Sequence, residues 1–175
     1  MPVFARSKLL IEEKCLTYRP KMTFSYSGPN PQKAYQKIVE ILVKDLSIPR
    51  GNIQEKGFKW DRSGPVEKFT VAFEIIKDFD KFTYLYLEID MEGEVKPSKE
   101  FEKEGHVGIT MQGTVRTEYP QDTTWEKSYI YEMFRTFYHK MFYHDKTKRY
   151  VEQCRDWMLF IADEMKSFFN LLQKM

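Results

Sequence analysis

Three histidines, two cysteines and a scatter of serines and carboxylates are the side chains of this sequence that could do chemistry. A nucleophilic serine or cysteine needs a base within hydrogen-bond reach and a third group to orient that base. No G-x-S-x-G occurs, and neither Cys15 nor Cys154 stands in a nucleophile context. Only eight glycines are scattered through the chain, without a phosphate-cradling loop. His139 and His144, five apart, would lie about 140° apart around a helix, the wrong geometry for two metal ligands on one face. Glu132 and His139 would share a face, and His144 with Asp145 could close a site only if the helix ended between them. The spacing therefore predicts polar residues on the wet side of a helix. Asp163-Glu164 and Glu12-Glu13 are adjacent and diverge on a helix, so they read as solvated faces. No catalytic residue, metal ligand or cofactor is expected, and an enzyme ranks last among the functions considered.

Composition sets the frame for these residues. A chain of 175 residues is long enough to bury one good core, and a single domain over 1–175 is expected. With 42% hydrophobic and 16% aromatic residues it carries the apolar surface that disordered chains lack. A net charge of +2 makes a nucleic-acid binder unlikely on balance, although a local basic patch stays open. Two cysteines without a C-x-x-C pattern exclude a disulfide scaffold but leave one disulfide open. Cys154 falls on the apolar stripe of a predicted helix, where a buried free thiol is the expected state. No apolar run approaches the ~18 residues of a membrane span. No secretory signal is evident at the N-terminus, so a cytoplasmic location is expected.

Hydrophobic periodicity supplies the elements. Residues 16–26 alternate, with Leu16, Tyr18, Met22, Phe24 and Tyr26 on one face, predicting an edge strand interrupted at Pro20. Asn30 and Pro31 open a helix whose Ala34, Ile38, Ile41, Leu42 and Leu46 form an apolar stripe. Strands follow at 53–61, 67–77, 82–92 and 106–119. Phe69, Val71, Phe73 and Ile75 share one face, as do Leu85, Leu87, Ile89 and Met91, and then Val107, Ile109, Met111, Val115 and Tyr119. The charged stretch 93–105 reads as a longer solvated connection. Short connections imply antiparallel neighbours, and the polar outer face implies cover on one side only. The fold class is α+β, an antiparallel sheet covered on one face by helices with a long C-terminal helix. Thr123-Thr-Trp-Glu126 has capping-box form and opens an aromatic helix over 125–143. A joint at 145–148 leads to a last helix whose Val151, Cys154, Met158, Ile161, Met165, Phe168, Leu172 and Met175 repeat at 3,4 spacing. That seam is expected to grip the chain's own sheet rather than a foreign helix.

Two surface features bear on partners. Phe82, Tyr84 and Tyr86 alternate with Leu85 and Leu87 and would stand on the outer sheet face. Such a row suits a protein interface or a stacking platform for single-stranded nucleic acid. The run 138–150 mixes bases and aromatics, which suits phosphate contact or an ordinary helix-to-helix corner with snorkelling lysines.

The order strand, helix, antiparallel strands and long C-terminal helix resembles the helix-grip fold of the START-like or polyketide-cyclase superfamily. The resemblance covers residues 16–175, rests on topology and carries no motif residue. It implies a hydrophobic small molecule held between sheet and last helix. The leading expectation is therefore a non-catalytic binding protein, with Phe73, Leu87, Met111, Met158 and Met165 lining an apolar cavity. The same residues fully packed would be simply a core. The alternative is an assembly subunit, a homo-oligomer included, using the aromatic helix or the outer sheet face. Trp125, Tyr131 and Tyr138 are its interface candidates, with Phe82, Tyr84 and Tyr86. Nucleic-acid association ranks third.

Overall fold

Alternation of apolar and polar side chains builds the sheet. The computed structural model describes residues 10–119, 123, 125–126 and 128–174. Six strands are seen: β1 (Leu10–Lys14), β2 (Lys21–Pro29), β3 (Ile53–Asp61), β4 (Glu67–Asp78), β5 (Thr83–Pro97) and β6 (Lys103–Glu118). They run antiparallel in the order β1-β6-β5-β4-β3, with β2 also pairing β6. The inward sets of β4, β5 and β6 anticipated from the period of two are all buried. The expected register is the observed one.

Two strand expectations need correction. The segment 16–26 is not one interrupted strand. β1 pairs the far end of β6 (Leu10 opposite Glu118), β2 pairs the near end (Lys21 opposite Gln112), and Cys15–Pro20 loop out opposite Gly113. Tyr18, expected inward, is therefore 99% exposed. The stretch 93–105 is not a connection either, because β5 and β6 pair as far as Pro97 opposite Lys103. Gly93 and Val95 are buried between outward Glu92, Glu94 and Lys96, a period of two hidden under the charge.

Helices cover one face. Helix α1 (Ala34–Glu40) follows a 3-10 turn at Pro31–Lys33 and continues into a π turn at Ile41–Asp45. Its stripe Ala34, Ile38, Ile41, Leu42 and Leu46 is buried. Asn30 does not cap it. With φ 50°, its side chain instead accepts from the Lys103 N–H and Gln32 Nε2. Helices α2 (Tyr129–Tyr138) and α3 (His144–Lys174) are joined by a π turn, His139–Tyr143, into one rod of 46 residues. There is no joint at 145–148. The Thr123–Glu126 capping-box bonds do form, but on a turn, and Ser128 Oγ caps α2 by accepting from the Tyr131 N–H. The helix begins four residues later than expected.

The seam of α3 grips the sheet as expected, except that Phe169 rather than Phe168 is the buried phenylalanine and Val151 is half-buried; Met175 lies outside the described residues. Cys154, Met158, Ile161, Met165, Phe169 and Leu172 are buried, and Phe169 stacks on Tyr26 of β2 at 4.3 Å. Cys154 is not a free thiol: it forms a disulfide with Cys15. Both sulfurs rest on Gly113, where an added Cβ would stand 2.8 and 2.9 Å from them. A side chain there would have no room. A long helix on one face of an antiparallel sheet is compatible with helix-grip topology.

Candidate functional site

A 46-residue helix is about 69 Å long. The longest strand, the 16 residues of β6, measures about 54 Å. Part of the rod must overhang, and that part is α2. The rod meets the body here through Arg135 of α2, His139 and Tyr143 of the π turn and Thr147 of α3, spaced by four and all buried. Three such steps in an unbroken α-helix would rotate the contact by about 120°. The wider π turn absorbs that rotation and keeps all four on the sheet side.

What these side chains meet is polar. Asp80, in the β4–β5 turn, accepts at Oδ1 from the N–H groups of Phe82 and Thr83 at 2.9 and 3.0 Å. Its Oδ2 accepts from the hydroxyls of Tyr143 at 2.5 Å and Tyr150 at 2.9 Å and from Lys146 Nζ at 2.9 Å. Burial opposes ionisation, yet these donors outweigh it and hold the carboxyl well below the usual carboxylate range. Tyr143, while donating to Asp80, accepts from Thr83 Oγ1 at 2.8 Å, and Thr83 lies 3.0 Å from Thr117. Burial first, then Asp80, holds the Tyr143 phenol far above its ordinary value. With five donors on two oxygens, Asp80 is a clamp with no lone pair left for a base.

One turn away, the Tyr119 hydroxyl lies 2.9 Å from His139 Nδ1. Burial pushes the phenol up to about 12 and depresses the imidazole. Which of the two atoms donates follows from the imidazole tautomer. Arg135 lies near the rings of Tyr119 and Tyr131, at 5.7 and 5.8 Å, with its three guanidinium nitrogens unpartnered. His139 is therefore not on the wet side of the helix, as its spacing suggested. His144 is exposed, and among the described residues no cluster of three or more His, Cys, Asp or Glu could hold a metal.

The wet side of α2 is apolar instead. Tyr129, Ile130, Met133, Phe134, Phe137, Tyr138, Met141 and Phe142 are each at least 50% exposed. Amphipathicity is inverted: the buried face is polar and the apolar face looks outward. Of the expected interface residues, Trp125 and Tyr138 are exposed, whereas Tyr131 turns half inward under Arg135. Phe82, Tyr84 and Tyr86 are half-buried. Tyr84 donates to Glu118 and Tyr86 to Glu74, and Arg116 lies 4.0 Å over the Tyr86 ring. That row is engaged with its own neighbours.

Phe73, Leu87, Met111, Met158 and Met165 are each at most 3% exposed and belong to the packed core. Phe73 alone of these borders a groove, of about 570 Å³, lined also by Tyr35, Val39, Val43, Arg50 and Ile53 between α1 and β3. A second groove, of about 770 Å³, runs between the 13–23 segment and residues 148–155 of α3. Sequence reasoning missed Asp80 and Thr83, in the β4–β5 turn and at the start of β5, whose partners Tyr143 and Tyr150 lie 60 to 70 residues on, and Arg135, turned inward beside Tyr119 and Tyr131. The period-four run of apolar residues from 129 to 142 was the one available signal for the outward face.

No family model matches the chain, and no curated protein matches it. Among solved structures, the chain is matched by a Staphylococcus aureus protein described as "Protein of Unknown Function SA2116", at 11% identity over 96% of this chain and 98% of the other, with a TM-score of 0.28.

Proposed function

We propose that this chain is an assembly subunit that docks on another protein through the outward face of α2. One observation carries this reading: eight apolar side chains, half or more exposed, over α2 and the π turn (129–142), where Arg135 and His139 are the residues turned inward to the body. At roughly 200 Å² for each fully exposed side chain, that face presents roughly 900 Å². Monomers rarely expose more than about 300–600 Å² in one patch. Nucleic acid fits poorly, since Lys140 is the one exposed cation of the described 129–142 stretch. Methionine oxidation in intact cells tests the reading. Met133 and Met141 should react several-fold more slowly in the native chain than in a Phe134→Glu/Phe137→Glu variant. Equal rates would mean a bare face and would end the proposal.

A second reading rests on the groove bounded by Tyr35, Val39, Ile53 and Phe73, whose volume of about 570 Å³ is of pocket size. A hydrophobic small molecule, as in the superfamily with helix-grip topology, would bind there rather than under α3. Among the described residues no helix is long and apolar enough to cross a membrane. The buried disulfide favours an oxidising compartment over the cytoplasm.

A further inference from the structure

The spacing and size of the α2 face restrict its occupant. Its residues come in pairs, 129/130, 133/134, 137/138 and 141/142, and this pattern reads the same in either direction. A two-fold interface needs that property, because residue i must meet j while j meets i. An antiparallel copy would set Ile130 on Met141 and Phe134 on Phe137 along the seam, with Tyr129, Met133, Tyr138 and Phe142 on its flanks. A parallel copy would put Lys140 beside Lys140 and align the helix dipoles. The area agrees: roughly 900 Å² of exposed apolar side chain compares with about 800 Å² per partner in a standard stable interface. A lipid surface fits less well, since interfacial helices carry several cations on a free polar face. Here that face is buried, with Arg135 inside it.

Resting on the assembly reading above, we infer that the partner is a second copy of this chain, with α2 packed antiparallel on α2 about a two-fold axis between Arg135 and Thr136. Sedimentation of the purified full chain tests it. The native chain should be a dimer whose thermal midpoint rises with concentration, and Phe134→Glu with Phe137→Glu should be a folded monomer whose cooperative unfolding is independent of concentration, since both side chains are exposed in the single chain. If that variant misfolds, Phe134→Ser with Phe137→Ser serves the same purpose. Ile130→Lys and Met141→Glu should each weaken the dimer several-fold, and a 1:1 mixture of the two should restore it. Restoration requires 130 to face 141 across the axis, so its absence would overturn the antiparallel arrangement. A native chain that stays monomeric at its solubility limit would overturn the second copy. If such a monomer cosedimented with phosphatidylcholine–phosphatidylglycerol vesicles, a lipid surface would replace it. If it did not, while Met133 and Met141 stayed protected in cells, a foreign protein would be the partner and the assembly reading would stand.

Discussion

Asp80 has five donors on its carboxylate, and most of them come from the rod: Tyr143, Lys146 and Tyr150. It ties the β4–β5 turn to the start of α3. Hydrogen bonds to an ionised group contribute about 1.5–3 kcal/mol. Asp80→Asn should therefore lower unfolding stability by about 2 kcal/mol at neutral pH, measured by urea denaturation. Because the folded carboxyl titrates below its unfolded value, its contribution is present above about pH 4 and is lost as pH falls through the folded value. The variant should show a flatter acid limb than the native chain. Equal midpoints at pH 7 for the two proteins would show that the clamp contributes nothing.

At the level of elements, the central hairpin and the rod behave differently. β5 is paired on both sides, by β4 and β6, and its Leu85, Leu87, Ile89 and Met91 are at most 1% exposed. Leu87→Ala should cost about 2–5 kcal/mol through lost burial and the cavity left in the core. A thermal midpoint indistinguishable from the native one would contradict that packing. The rod answers to two surfaces at once. Over α3 its apolar seam faces the sheet, and over α2 its apolar face points away from the protein. The π turn between them is where the helix accommodates the change, keeping Arg135, His139 and Tyr143 on the body.

For the whole molecule, the Cys15–Cys154 bridge links the first described strand segment to the last helix across 139 residues of sequence. A cross-link over so long a loop restricts the unfolded chain strongly, and removing a native disulfide typically costs about 2–5 kcal/mol. Cys15→Ser with Cys154→Ser should lower the unfolding free energy from urea denaturation by that amount, and a reducing agent should do the same to the native chain but nothing to the variant. No difference between native and variant under oxidising conditions would show that the bridge is energetically silent. The bridge fixes α3 on β6, while the α2 overhang is left to whatever covers it.

The amino-acid sequence by itself determined the sheet and the direction of its faces, because a period of two leaves no freedom over which side chains of β4, β5 and β6 point inward. It likewise determined the α1 stripe and the α3 seam, where 3,4 spacing defines one apolar side. Tertiary structure alone decided the rest. Nothing local shows that Cys15 meets Cys154, because pairing depends on where β1 leaves β6 and on the space above Gly113. Nothing local shows which side of α2 is wet. An amphipathic pattern says that two faces differ, and the usual expectation turns the apolar one inward. Here Asp80, Thr83 and Tyr119, brought together from the β4–β5 turn and the end of β6, hydrogen-bond His139, Tyr143, Lys146 and Tyr150 just beyond α2 and so turn Arg135 inward over the Tyr119 ring. The rod outruns its sheet, and its aromatics are left outside.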